Sequence, residues 1–250
     1  MKLLISGEGP SDIGICNNAQ GVCTDDMFSP GPMTIWLKRL WEALLNYDVL
    51  SVPEAVMFVS KQTLAEGAKQ SNKPLQQIRG KKKQVETGWF YSNAQQLGLR
   101  AKQLSELDKT PVMAVLFRDN DGTQSVPGQL WQTKWDSMLS GFKSVEFDFG
   151  VPMLPKPKSE AWLLCTTMQG NHSHAALEDI SGNDESPNSA KLQLDQAFGS
   201  HQSASQLAEC CQATPLDWAQ ISTMPSFKAF YDRFQAVANA ILRPRAGVLV

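Results

Sequence analysis

Two aspartates one residue apart close an apolar run in VLFRDNDGT, residues 115–123. Acids also follow the apolar N-terminal KLLISG, at Glu8 and Asp12, and Glu160 stands in PKPKSEAWLL. Carboxylates that gather repel one another. A hard divalent cation, Mg²⁺ or Mn²⁺, is the usual remedy, with water and phosphate oxygens completing its shell. Side chains alternate along an extended chain, so Asp119 and Asp121 point the same way where the strand continues. Two aspartates, one glutamate and a second nearby acid can hold one or two metals and leave coordination positions open. Asp-Asn-Asp-Gly is also good turn chemistry, so the pair alone does not decide between a site and a turn. A calcium loop of the EF-hand kind is excluded, because it requires a glutamate at its twelfth position and Leu130 stands there.

Phosphate contacts could come from two places. Between Lys61 and Lys83 seven basic residues face only Glu66, a local charge of +6 in a chain of net −2. The RGKKK segment reads as a loop whose Lys81, Lys82 and Lys83 suit nonspecific, salt-sensitive phosphate binding. Trp89, Phe90 and Tyr91 follow closely and suit stacking on unpaired bases. The alternative is a solvated loop followed by a core aromatic cluster. Lys156 and Lys158, just before Glu160, could face a scissile phosphate or simply water.

Short apolar runs must position these residues. Lys2–Ser6, residues 55–60 and residues 112–117 read as buried strands, and Val145, Phe147, Phe149 and Val151 alternate like a half-buried one. Helical spacing joins Leu37, Leu40, Trp41, Leu44 and Leu45 behind a Gly31-Pro32 start signal. It recurs from about Ser92 through Leu104, across Leu130–Leu139, and from Phe227 to Ile241. Strands alternating with helices imply an α/β fold with a mostly parallel sheet flanked by helices. Ligands in such sheets bind beyond the carboxyl ends of the strands, where Glu8, Asp119 and Asp121 fall. The polar stretch 169–189 reads as a surface loop and only helical signals follow it. The expected organisation is a core over 1–168 and a loop plus helical C-terminal portion over 169–250 packed on it. Tryptophans 36, 41, 131, 135, 162 and 218 read as packing residues.

The order strand-GEG-SD, strand-RDNDG, then PKPKSEAWLL resembles the TOPRIM fold of topoisomerases, primases and OLD-type nucleases, and more closely the small stand-alone TOPRIM-like proteins of uncharacterised bacterial families. The resemblance covers roughly residues 1–168, and PSFKAFYDRF near the C-terminus is similar to those proteins too. It implies that Glu8 acts as a general acid/base and that Asp119 and Asp121 bind Mg²⁺, with Asp12 and Glu160 as additional metal or orienting groups. It further implies a metal-dependent nuclease cutting DNA or RNA, the nuclease component of an OLD-like or phage-defence system whose ABC-type ATPase is a separate protein. The other reading it leaves is a non-catalytic TOPRIM-like interaction or regulatory subunit of such a complex. The chain departs from a compact TOPRIM by the insertion DIGICNNAQGVCTDDMFSPGP, residues 12–32, between its first strand and first helix.

Bulk properties narrow the rest. Hydrophobic and charged fractions of 42% and 19% are those of an ordinary globular chain, and the net charge of −2 supplies no global field for nucleic acid. No apolar run approaches the ~18 residues of a membrane span, so no membrane partner is expected. MKLLISGEGPSD turns polar too soon for the core of a signal peptide. Five cysteines without regular spacing argue against a disulfide scaffold and fit a reducing cytoplasm. The spacing of His172 and His174 with Cys165 or Cys210-Cys211 matches no zinc finger. GEGPSDIG lacks the Gly-Lys-Ser/Thr ending of a phosphate loop, and no nucleophile elbow is present. Homo-oligomerisation is left open.

Overall fold

A computed structural model describes residues 1–9, 11–70, 83–120, 127–167 and 174–243. In chain order its elements are β1 (Lys2–Ser6), β2 (Gly14–Cys16), β3 (Val22–Thr24), β4 (Phe28–Pro30), α1 (Pro32–Leu45), β5 (Val56–Val59), α2 (Lys61–Gln70) and α3 (Lys83–Asp108). They continue with β6 (Val112–Phe117), α4 (Pro127–Lys143), β7 (Gly150–Met153), α5 (Ser159–Thr167), α6 (Ala190–Phe198), α7 (Ala204–Ala213), α8 (Trp218–Ile221) and α9 (Pro225–Leu242).

The apolar runs pair as a five-stranded sheet in the order β3-β5-β1-β6-β7. β1 runs parallel to both β5 and β6, β6 runs parallel to β7, and only the edge strand β3 is antiparallel. β6 is buried at every residue, as a parallel strand covered on both faces must be. The fold is thus α/β, a mostly parallel sheet flanked by helices with a helical C-terminal part. α2, α3 and α4 pack in succession, with α3 against β1 and β6 and α4 against β7. α1 starts with Pro32 behind Gly31, where a missing N–H costs nothing. It meets α5 and α9 through an aromatic cluster in which Trp36 stacks on Trp162 at 6.3 Å and meets Phe227 edge-on at 5.6 Å. Arg233 of α9 donates to the backbone carbonyls of Asp148 and Gly150 beside β7. Sheet and C-terminal helices therefore share one hydrophobic cluster, running from Leu3 to Ala238.

Several local expectations need correction. The alternation at 145–151 is not a strand: residues 145–149 form turns, and the strand is the fully buried 150–153. Side chains anchored in a turn against a helix can mimic a period of two, and Phe147 does so by packing on Phe142 of α4. The described part of the polar stretch 169–189, residues 174–189, is not a plain surface loop either. Residues 175–179 form a 3₁₀ turn with Leu177 and Glu178 buried. The insertion before α1 folds as the small β2–β4 hairpin plus the edge strand β3. Gly14 makes the hairpin possible: it sits at φ +118°, and a Cβ there would lie 2.2 Å from the Ser29 carbonyl. A disulfide between Cys16 and Cys23 ties β2 to β3, where the cysteine count implied none. Such bridges are usual in oxidising compartments and rare in a reducing cytoplasm. Cys165, Cys210 and Cys211 are free. Among the described residues no helix is long and apolar enough to cross a membrane.

Candidate functional site

Because β1, β5, β6 and β7 run parallel, their carboxyl ends share one edge of the sheet. β1 delivers Glu8 there, β5 delivers Lys61, β6 delivers Arg118 and Asp119, and the chain after β7 delivers Ser159 and Glu160 at the start of α5. Counting only the parallel strands, the spatial order is second-first-third-fourth. The chain departs from β1 to one side and returns to the other, so the crevice lies between β1 and β6. In open α/β sheets that reversal is where ligands bind. Glu8 and Asp119 stand on its two sides.

Between them is a cavity of about 360 Å³ lined by Glu8, Lys61, Arg118, Asp119 and Lys134, with Trp89, Phe90 and Asn93 of α3 completing its wall. Lys61 donates to Glu8 Oε1 at 3.0 Å. Arg118 Nε lies 3.6 Å from the same oxygen, close enough for an ion pair and too far for a good hydrogen bond. The Arg118 side chain is 2% exposed, and burial pushes its pKa down to about 10 despite the Glu8 carboxylate. It stays charged at neutral pH. Lys134, buried on α4, reaches the Asn120 carbonyl at 3.3 Å and lies 5.2 Å over the Phe90 ring. A second, more open groove of about 760 Å³ shares Glu8, Lys61 and Trp89 with this cavity and passes under the β2 side of the insertion.

Ser159 organises the remaining acids. Its backbone N–H, in the first turn of α5, donates to Asp119 Oδ1 at 3.1 Å. Its hydroxyl donates to Asp12 Oδ1 and lies 3.4 Å from Glu160 Oε2. Anions are favoured at a helix N-terminus, which explains why acids from two other segments collect here. Burial raises the pKa of Asp12, with the Ser159 and Ser11 hydrogen bonds opposing it and Glu8 reinforcing it. Glu160 is raised by burial as well, with Asp12 adding to the effect. Two neighbouring acids that favour their protons accept a competing cation in the protons' place.

The structure brings Glu8 and Asp119 to one cavity and links Asp119, Asp12 and Glu160 through Ser159. Asp121, Lys81 and Lys82 lie outside the described residues, as do His172 and the side chain of Lys83. Among the described residues no group of three or more histidines, cysteines, aspartates or glutamates is placed to hold a metal ion. Lys156 pairs with Glu178 and Asp179 at 4.0 and 3.7 Å, and Lys158 pairs with Asp184 at 2.9 Å. Both therefore spend charge on the 175–184 segment. Trp36, Trp41, Trp135 and Trp162 are core residues, whereas Trp89 is 59% exposed at the mouth of both cavities.

Reading the sequence for acids passed over Arg118, Lys134 and Ser159. A signal existed for the first two. Arg118 follows six consecutive apolar residues, and Lys134 sits on the same helical face as Trp131, Trp135 and Met138. A cation in either setting must be buried. Comparison with models of known protein families, with curated protein sequences and with solved structures finds no match to this chain.

Proposed function

We propose that the protein is a metal-dependent phosphodiesterase of TOPRIM type acting on DNA or RNA. The observation that carries this reading is that Glu8 and Asp119, from the ends of adjacent parallel strands, line one cavity together with three cationic side chains. The residue types suit a hard divalent cation: all the acids are oxygen donors, and buried Asp12 and Glu160 bear a cost that added positive charge relieves. Asp119 and Asp121 would hold the ion, Glu8 would face it, and Asp12 and Glu160 would complete or orient the set. When bound, Mg²⁺ or Mn²⁺ neutralises charge on the phosphoryl group and makes a water more acidic. Glu8, its Oε1 oriented by Lys61, accepts the proton of the attacking water and returns it to the departing oxygen. Arg118 and Lys61 oppose the charge that grows on the phosphoryl oxygens. Ser159 holds one oxygen of Asp119 through its backbone N–H.

A cytoplasmic location and a separate ABC-type ATPase in an OLD-like or phage-defence system belong to this proposal. The ATPase partner and the defence role rest on the sequence resemblance alone, and the location on the cysteine usage. In a reducing compartment Cys16 and Cys23 would be thiols.

One set of contacts favours a second reading, a non-catalytic interaction subunit. Glu8 is held by two cations, and Asp119 accepts a helix N-terminal amide, as acids do when they serve only structure. The two readings separate on plasmid, single-stranded DNA and RNA substrates with Mg²⁺ or Mn²⁺. The enzyme reading expects metal-dependent cleavage that falls roughly 100-fold or more in Glu8→Gln and in Asp119→Asn. Wild type and both variants behaving alike would sink it.

A further inference from the structure

Among the described residues, Arg118 is a charge that the fold leaves poorly accounted for. Its guanidinium is as buried as the core, yet only Nη1 is spent, on the neighbouring Phe117 carbonyl at 2.6 Å. Nε and Nη2 have no hydrogen-bond partner among the described residues. Burying a donor without a partner is costly, the more so when it is charged. A role confined to neutralising Glu8 would draw the fork onto that carboxylate, with two parallel hydrogen bonds. Instead Lys61 takes the hydrogen bond to Glu8 Oε1, and Arg118 stands off at 3.6 Å. Arg118 is among the residues that line the cavity, together with half-exposed Lys61 and with buried Lys134 of α4. Among the described residues that line it, Glu8 and Asp119 are the acids and Lys61, Arg118 and Lys134 the cations. Its volume of about 360 Å³ falls at the small end of the roughly 300–1,000 Å³ typical of ligand sites.

We infer that this cavity is a phosphoryl subsite, in which Arg118 grips a phosphate through its Nε and Nη2 donors while Lys61 and Lys134 balance the charge. A planar fork with two adjacent N–H groups matches two oxygens of a phosphate. The phosphate's role in cleavage rests on the phosphodiesterase reading; the binding itself does not. Either a terminal phosphate monoester or a backbone phosphodiester would supply the same oxygens.

The test is thermal unfolding of the full chain in EDTA, where no metal-dependent cleavage occurs, so failure of the nuclease reading cannot mask the result. Inorganic phosphate is titrated against chloride at matched ionic strength. Binding to the folded state raises the midpoint in proportion to the logarithm of ligand concentration. The expected result is a phosphate-specific rise in wild type, weakened roughly tenfold or more in apparent affinity by Arg118→Met and several-fold by Lys61→Ala. Lys61 is half exposed, so its variant tests the site even if Arg118→Met does not fold. Displacement of phosphate by a short oligonucleotide carrying a 5′-phosphate, or equally by its 5′-hydroxyl twin, supports the site and identifies which phosphate it takes. Absence of a phosphate-specific rise in wild type, or a rise unchanged in Lys61→Ala and Arg118→Met, overturns the inference.

Discussion

At Ser159 one hydroxyl and one amide serve two acids that arrive from different segments, Asp12 from the loop after β1 and Asp119 from the end of β6. The hydroxyl bond is the first of the effects opposing burial at Asp12. Ser159→Ala should therefore let burial act with less opposition and move the Asp12 carboxyl to still higher pH. Carboxyl carbon NMR across a pH titration would read this directly. An Asp12 midpoint that stays put or falls in the variant would remove Ser159 from its role. On the proposed function, the loss of metal affinity in Ser159→Ala should also deepen as pH is lowered, because a protonated acid is a poor ligand. Glu8 and Asp119 were legible because an acid just beyond an apolar run has few structural uses, and Glu160 stood out only within the SEAWLL segment. Arg118 and Lys134 were not. A cation beside acids reads as counter-charge in water, and only packing reveals that these two are sealed inside.

The elements around the cavity are held at spacings a sequence does not print. α3 and α4 approach closely at Gly141, where a Cβ would lie 2.3 Å from the Tyr91 carbonyl and 2.8 Å from the Ala94 Cβ. Helix propensity alone would make Gly141→Ala stabilising by up to ~1 kcal/mol. The contact with rigid backbone reverses the sign, and a net loss of about 1–3 kcal/mol is expected. Gly88 in α3 meets nothing within 4 Å of a Cβ, so Gly88→Ala should give the propensity gain unopposed. Urea midpoints of the two variants should fall on opposite sides of wild type. If both rise, the helices are not packed as closely as described. Such spacing explains what could and could not be read in advance. β1, β5 and β6 were legible as unbroken apolar runs, and α1 by its stripe and its Gly31-Pro32 start. α2 escaped because its first turn is lysine- and glutamine-rich and its face is mostly solvated. The strand at 150–153 escaped because Gly150 and Pro152 look like punctuation. Gly150 is instead required there, since a Cβ would lie 2.2 Å from the Phe142 ring.

Across the whole molecule the hydrophobic cluster runs without interruption from β1 to α9, so a perturbation at the sheet–helix junction should be felt in global unfolding. Glu178 is the clearest such junction. It is 5% exposed, accepts from the Ser226 backbone N–H in the first turn of α9 at 2.6 Å, and lies 4.0 Å from Lys156. Burial raises its pKa, with the Ser226 bond and Lys156 opposing without cancelling the effect. The sign of the stability effect follows from linkage. Below the unfolded-state value of about 4.3 Glu178 is protonated in both states and costs nothing. As pH climbs from there through the raised folded value, the unfolded chain releases its proton first, so stability falls. Above that window the penalty is complete. Glu178→Gln keeps a neutral acceptor for Ser226 and should unfold at a higher temperature than wild type at pH 8, with the gap closing below about pH 4. Calorimetry at both pH values would show this as a shift of one transition rather than of a separate C-terminal event. A variant less stable than wild type at pH 8, or a gap that does not change with pH, would mean that Lys156 and Ser226 stabilise the charged form more than burial opposes it.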